Sequence, residues 1–157
     1  TAVYEASQKG EEYKGMGTTV VLMYADGNSV YILHVGDSRA YSFKDGVLSQ
    51  LTVDHSMVQT MVDNGEITPD EAKVHPNKNV ITRALGVGEQ VNTDMDFIDV
   101  TDEQIIVLCS DGLSNYVSSS EIAHQLENFD ETVTQRLIDA ANNNGGRDNI
   151  TVVVVKF

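Results

Sequence analysis

Between Thr18 and Phe43 the apolar positions fall in three short runs, TTVVLMYA, SVYILHVG and RAYSF, separated by small or turn-forming residues. β-Branched and aromatic side chains suit a pleated, half-buried surface, so each run predicts a strand. Asp26-Gly27 and Asp45-Gly46 are hairpin signals, because Asp bonds its own backbone and Gly accepts positive φ. The whole stretch predicts an antiparallel meander. Ahead of it, Thr1 to Tyr13 reads as a short helix, and Gly15-Met16-Gly17 leads into the first strand.

The pattern changes after Asp54. As far as Asn79 it is polar and helical, with Thr68 as a cap and Pro69 at the first helical position, which predicts an insertion between strands. Strands resume around NVITRAL and DEQIIVLCS. Ser118 and Glu121 form a capping-box pair ahead of Ile122, Leu126 and Phe129, and a second helix follows with Val133, Leu137 and Ala141 on one face and Gly145 as its stop. The last run, ITVVVVKF, is almost wholly apolar and predicts a strand covered on both faces. Strands in runs and helices in separate blocks predict one α+β layered domain, without repeats or an interdomain linker.

Composition narrows the function. No apolar run approaches the roughly 20 residues that span a bilayer, and no signal-peptide pattern is present. Asp and Glu outnumber Lys and Arg by 24 to 10, a formal charge of −14, which sets the long-range field against nucleic acid. A single cysteine, Cys109, excludes an intrachain disulfide and suits a reducing compartment, so the expected location is cytoplasmic. The first residue is Thr1, inside a helical pattern, which leads us to expect a chain cut at its N-terminus.

Three aspartates stand at strand margins beside glycine: Asp37 in HVGDSRAY, Asp111 in LCSDGL and Asp148 in GGRDNITV. Asp-Gly is also an ordinary turn dipeptide, so each alone reads equally well as a turn. Together they could meet at one end of a sheet assembly and offer the oxygen ligands that Mg²⁺ and Mn²⁺ prefer. The pattern alone leaves both readings open.

GMGTTVV, HVGDSRAY, LTVDHS, NVITRALG, LCSDGL and GGRDNITVVVV, in that order, resemble the successive motifs of the metal-dependent PP2C-type serine/threonine protein phosphatases, in the compact bacterial form. The resemblance implies a sandwich of two antiparallel β-sheets flanked by helices, spanning 1–157, with a flap at about 56–77. It implies hydrolysis of phosphoserine and phosphothreonine in proteins by a metal-bound water, with two core Mn²⁺ or Mg²⁺ ions, a third looser one and no protein nucleophile. Asp111 would ligate two of the metals, Asp148 the second core metal, and Asp37 with Asp111 the third. Asn149 would lie beside the ligand Asp148, either supporting it or only forming the turn. The motifs assign no substrate-binding residue. The partners implied are phosphorylated proteins, substrates of a serine/threonine kinase, and the intact protein would be a monomer. The family's DGMGG-like motif with its bridging aspartate has no counterpart here, since no aspartate precedes Gly15-Met16-Gly17. The expectation is therefore an N-terminally incomplete domain, inactive by itself, whose intact form is an enzyme. The alternative is a catalytically silent PP2C-like binding module.

Other phosphatase chemistries fit less well. A cysteine phosphatase loop, C-x₅-R, would need arginine where Asn115 stands, so Cys109 reads as core. Asp94 and Asp96 imitate the paired aspartates of haloacid-dehalogenase phosphatases, but Phe97 and the polar stretch before Asp94 spoil the match, leaving solvated strand residues. His34, His55, His75 and His124 lack close metal-ligand spacing and read as structural; Arg83 and Arg147 read as surface or ion-pair residues. Met57 and Met61, one helical turn apart, read as packing.

Overall fold

A computed structural model describes residues 2–157; Thr1, included in the predicted N-terminal helix, lies outside the described residues. Helix α1 (Ala2–Ser7) and a 3-10 turn (Glu11–Tyr13) precede seven strands: β1 (Val20–Asp26), β2 (Ser29–Val35), β3 (Arg39–Lys44), β4 (Val47–Gln50), β5 (Asp94–Asp99), β6 (Ile105–Cys109) and β7 (Val152–Lys156). Between β4 and β5 lie α2 (Met57–Asp63) and α3 (Pro69–Val74); between β6 and β7 lie α4 (Asp111–Ser114), α5 (Ser119–Glu127) and α6 (Val133–Asn143).

The strands form two sheets, ordered β1-β2-β5 and β4-β3-β6-β7, and every pairing is antiparallel. The expected α+β architecture with two antiparallel sheets is present. The expected single meander is not. The two hairpins form where Asp-Gly predicted them, but the chain leaves one sheet after β2 and enters the other at β3. Gly36 makes that crossover: its φ is +108°, and a Cβ there would lie 2.3 Å from the Thr19 side chain.

Two apolar layers hold the sheets. Val30 and Ile32 of the three-stranded sheet meet Ala40 and Ile106 of the four-stranded one. On the other face of the four-stranded sheet, Tyr41, Phe43, Ile105, Val107 and Cys109 pack against Ile122, Leu126, Val133, Leu137 and Ala141, the helical faces that the sequence pattern singled out. Phe129 lies beyond the end of α5 and is 37% exposed. The outer face of the three-stranded sheet is bare, with cross-strand rows Leu22-Leu33-Met95 and Tyr24-Tyr31-Phe97.

Two further expectations fail. NVITRAL is no strand; it contributes only isolated bridges, Ser56 with Ile81 and Thr18 with Leu85. Its apolar positions instead brace the base of the helical insertion and the Gly15-Met16-Gly17 segment, where a Cβ on Gly86 would strike Met16 O at 2.5 Å. The final strand is an edge strand, and Val153 is 48% exposed, because its consecutive valines run past the smaller opposing sheet.

Candidate metal centre

Strand register brings the three aspartates to one end of one sheet. Arg39 opens β3 opposite Cys109, which closes β6, and Cys109 faces Val152, which opens β7. Asp37 therefore lies two residues before this row, Asp111 two residues after it, and Asp148 four residues before it. The Asp111 and Asp148 loops touch. A Cβ on Gly112 would fall 2.2 Å from Asn149 O, so only glycine lets the α4 backbone approach this closely. Ser110 stitches the loops: its Oγ donates to Asn149 O at 3.2 Å and accepts the Thr151 N–H at 3.0 Å. Asn149 acts here through its main chain, with its own N–H donating to Asp148 Oδ1 at 2.7 Å.

This end of the sheet carries negative charge that Arg39 offsets only in part. Burial raises the Asp37 carboxyl above its ordinary range, and the charge of Asp111 raises it further. Burial likewise raises Asp111, with Asp148 adding to the effect. The arginine whose charge reaches Asp37 and Asp111 is already committed: Arg39 clasps Asp54 through Nε at 2.8 Å and Nη2 at 2.7 Å. Carboxylates whose neighbouring guanidinium is paired elsewhere form a hard, all-oxygen donor set, and such a set fits Mg²⁺ or Mn²⁺. The three are not drawn into one tight knot. Among the described residues, the group whose ligand atoms all lie within 4.8 Å of one another is His34, His55 and Asp94.

That second cluster was missed by sequence reasoning, because its members are scattered in sequence and no spacing links them. Asp94, read as a solvated strand residue, is instead the half-buried acceptor of the cluster: Arg83 Nη1 lies 2.6 Å from Oδ1 and His55 Nε2 lies 3.2 Å from Oδ2. Arg83 thus has the ion-pair role open to it in the sequence. Hydrogen bonds from Arg83 and His55 hold the Asp94 carboxyl below its ordinary range. The imidazoles of His34 and His55 stack at 4.6 Å with planes 19° apart. Their lone pairs lie in nearly parallel planes and do not aim at one ion. The His55 Nδ1 already accepts the Gly36 N–H at 3.1 Å, and Arg83 stands against Nε2 at 3.0 Å. The cluster is a self-neutralised polar junction.

Cys109 is a core residue. Burial pushes its thiol up to about 12, far from the thiolate a nucleophile needs. Met57 is 41% exposed in α2, and no helix among the described residues is long and apolar enough to cross a membrane.

The family model for Protein phosphatase 2C matches residues 2–151. The chain is 43% identical over 145 residues to the serine/threonine protein phosphatase PstP of Mycobacterium tuberculosis, covering 91% of this chain and 28% of that protein. It is 40% identical over 153 residues to the serine/threonine phosphatase stp of Listeria monocytogenes, covering 96% of this chain and 60% of that one. The chain thus spans less than two thirds of either relative. A crystal structure of the PstP catalytic domain in complex with two manganese ions superposes with a TM-score of 0.88 at 39% identity, covering 99% of this chain and 65% of that one.

Proposed function

The chain belongs to the protein phosphatase 2C family, and we propose that the whole protein hydrolyses phosphoserine and phosphothreonine in other proteins, with Asp37, Asp111 and Asp148 as cation ligands. One observation carries the reading: three carboxylates share an end of the four-stranded sheet, and two of them bear raised proton affinities through burial and their neighbours' charges. Phosphate monoesters are anionic and very slow to hydrolyse, so the site must bring positive charge to the phosphoryl group. When bound, Mn²⁺ or Mg²⁺ supplies that charge and lowers the pKa of a water for in-line attack.

The chain's own residues set the geometry. Asp111 stands at the start of α4, its Oδ2 held by Asn115 Nδ2 at 3.1 Å, and serves the core cations. Asp148 is fixed by its turn onto the Asn149 N–H and serves the second core cation. Asp37, on the crossover, serves a third, looser position with Asp111. Segment 56–77, with α2 capped by Ser56 and α3 by a full capping box at Thr68, acts as a flap that sets substrate choice. The substrates are phosphoproteins made by a serine/threonine kinase, the protein is a cytoplasmic monomer, and the domain spans 1–157.

A second reading, a silent binding module, draws on the sequence itself: its 157 residues contain no DGMGG-like motif for a bridging aspartate. The 157 residues alone are therefore expected to bind cations without turnover. Phosphopeptide hydrolysis with Mn²⁺ titrated into the whole protein separates the readings. We expect turnover, lost in Asp111→Asn and only partly reduced in Asp37→Asn. No turnover in the wild type leaves the silent module; equal turnover in Asp111→Asn removes the assigned ligand.

A further inference from the structure

The crossover that carries Asp37 is tied at Ser38 to Thr19 and at Gly36 to His55, and His55 also meets the helical insertion. His55 touches Gly36 twice: its N–H donates to Gly36 O at 2.9 Å, and its Nδ1 accepts the Gly36 N–H at 3.1 Å. Its carbonyl accepts the Thr82 N–H at 2.8 Å, just beyond the insertion, while the next residue, Ser56, caps α2 at the insertion's beginning. Across Val80, the Met57 N–H closes the same base at 2.8 Å. His55 is 5% exposed and sits where these segments meet.

The ring has two distinct sides. Because an N–H donates to Nδ1, that nitrogen carries no proton, and the neutral ring places its proton on Nε2. Nε2–H then donates to Asp94 Oδ2, while Arg83 donates to Oδ1 of the same carboxylate. The groups facing the ring are His34 from β2, Asp94 from β5 and Arg83 from the segment after the insertion. His34 spends Nε2–H on Val53 O at 2.8 Å and leaves a buried Nδ1 without a partner, so it adds no negative charge to the stack. The His34 imidazole and the Arg83 guanidinium oppose a positive charge on His55, and of the groups facing the ring only Asp94 favours it.

We propose that His55 is a positioning residue that fixes the Gly36-Asp37 crossover against both ends of the 56–77 segment, by accepting the Gly36 N–H on Nδ1 while Asp94, itself held by Arg83, accepts the Nε2–H on the opposite side of the ring. The inference rests on the assignment of Asp37 as a cation ligand for its consequence, and on the contacts of His55 for its geometry. A proton added to Nδ1 would set one N–H against another and release the crossover. Burial lowers the His55 pKa, so the neutral, accepting ring prevails at neutral pH and the clasp opens on acidification.

Two substitutions divide the ring. In His55→Asn the amide oxygen falls near the place of Nδ1 and keeps an acceptor for Gly36; in His55→Gln the amide reaches toward Nε2 and keeps only the Asp94 side. Both are made in the full protein, and amide exchange at Gly36 is read by NMR beside Mn²⁺ affinity by calorimetry. We expect His55→Gln to speed Gly36 exchange about tenfold and to weaken Mn²⁺ binding, with His55→Asn close to wild type in both. Equal exchange in the two variants, or the reverse order, overturns the proposal. In the wild type, Gly36 protection, corrected for intrinsic exchange, should fall as pH drops below about 6.5, and His55→Asn should lack that fall. A flat wild-type profile also overturns it, and this measurement decides if the variants do not fold. If wild-type protein binds no Mn²⁺, the cation assignment fails, while Gly36 exchange still judges the clasp.

Discussion

Two acidic sites stand on this sandwich, one carboxylate at Asp94 and three at Asp37, Asp111 and Asp148, and they handle negative charge in opposite ways. Around Asp94 the protein supplies its own partners, Arg83 at 2.6 Å and His55 at 3.2 Å, and the carboxyl is held below its ordinary range. Around Asp37, Asp111 and Asp148 its compensation is weaker: burial raises Asp37 and Asp111, and Arg39, which acts on both at a distance, is paired with Asp54. The first arrangement is complete without any other component. In the second, like charges left together in a half-buried place cost stability, a cost that a counter-ion from outside would relieve. Under the proposed assignment, the location of compensating charge is what separates the structural carboxylate from the cation ligands.

The sharpest break between them should be in turnover. In the whole protein Asp111→Asn should reduce phosphopeptide hydrolysis to background, while Asp94→Asn leaves the cation ligands in place and retains measurable activity; a steady-state assay with saturating Mn²⁺ compares them. The next effect concerns stability. Asp94→Asn leaves the Arg83 guanidinium short of its carboxylate, and because the pair is partly exposed the cost is about 1 kcal/mol, roughly 2–4 °C in Tm, by thermal unfolding without divalent ions.

The smallest effect has the opposite sign. Without cations, Asp111→Asn should raise stability slightly, since it removes a charge that burial and Asp148 oppose. Its pH dependence follows from linkage. A carboxyl with a raised folded pKa binds more protons in the native state between its ordinary and its raised value, so wild-type stability falls as pH rises through that window. The advantage of Asp111→Asn should thus be fully present at neutral pH and shrink as pH falls through the raised range. Asp94, with a lowered pKa, behaves in reverse: its contribution holds at neutral pH and is lost as pH falls through the folded value. Chemical unfolding of the two variants at several pH values checks both signs.

The sequence made much of this readable, for physical reasons that differ by element. Val133, Leu137 and Ala141 announced their helix because one face meets one sheet. The Asp-Gly hairpins were legible because turn chemistry is local. The change of sheet at Gly36 was not, since a strand pattern says which face is apolar and nothing about which neighbour it joins. NVITRAL carried strand-like residues yet serves as a brace, its partners Thr18 and Ser56 lying far off in the sequence. The aspartates were visible through their strand-end motifs, and register brings them to one end. Asp94, His55 and Arg83 gave no signal, because their meeting is made entirely by the packing of β2 beside β5 and by the path of the chain after the helical insertion.

Calorimetric titration of Mn²⁺ into the wild type, Asp111→Asn and Asp94→Asn tests the contrast most directly. The account predicts saturable binding in the wild type, its loss in Asp111→Asn and its retention in Asp94→Asn. Retention in Asp111→Asn together with loss in Asp94→Asn would contradict it, and would move the cation to the histidine cluster.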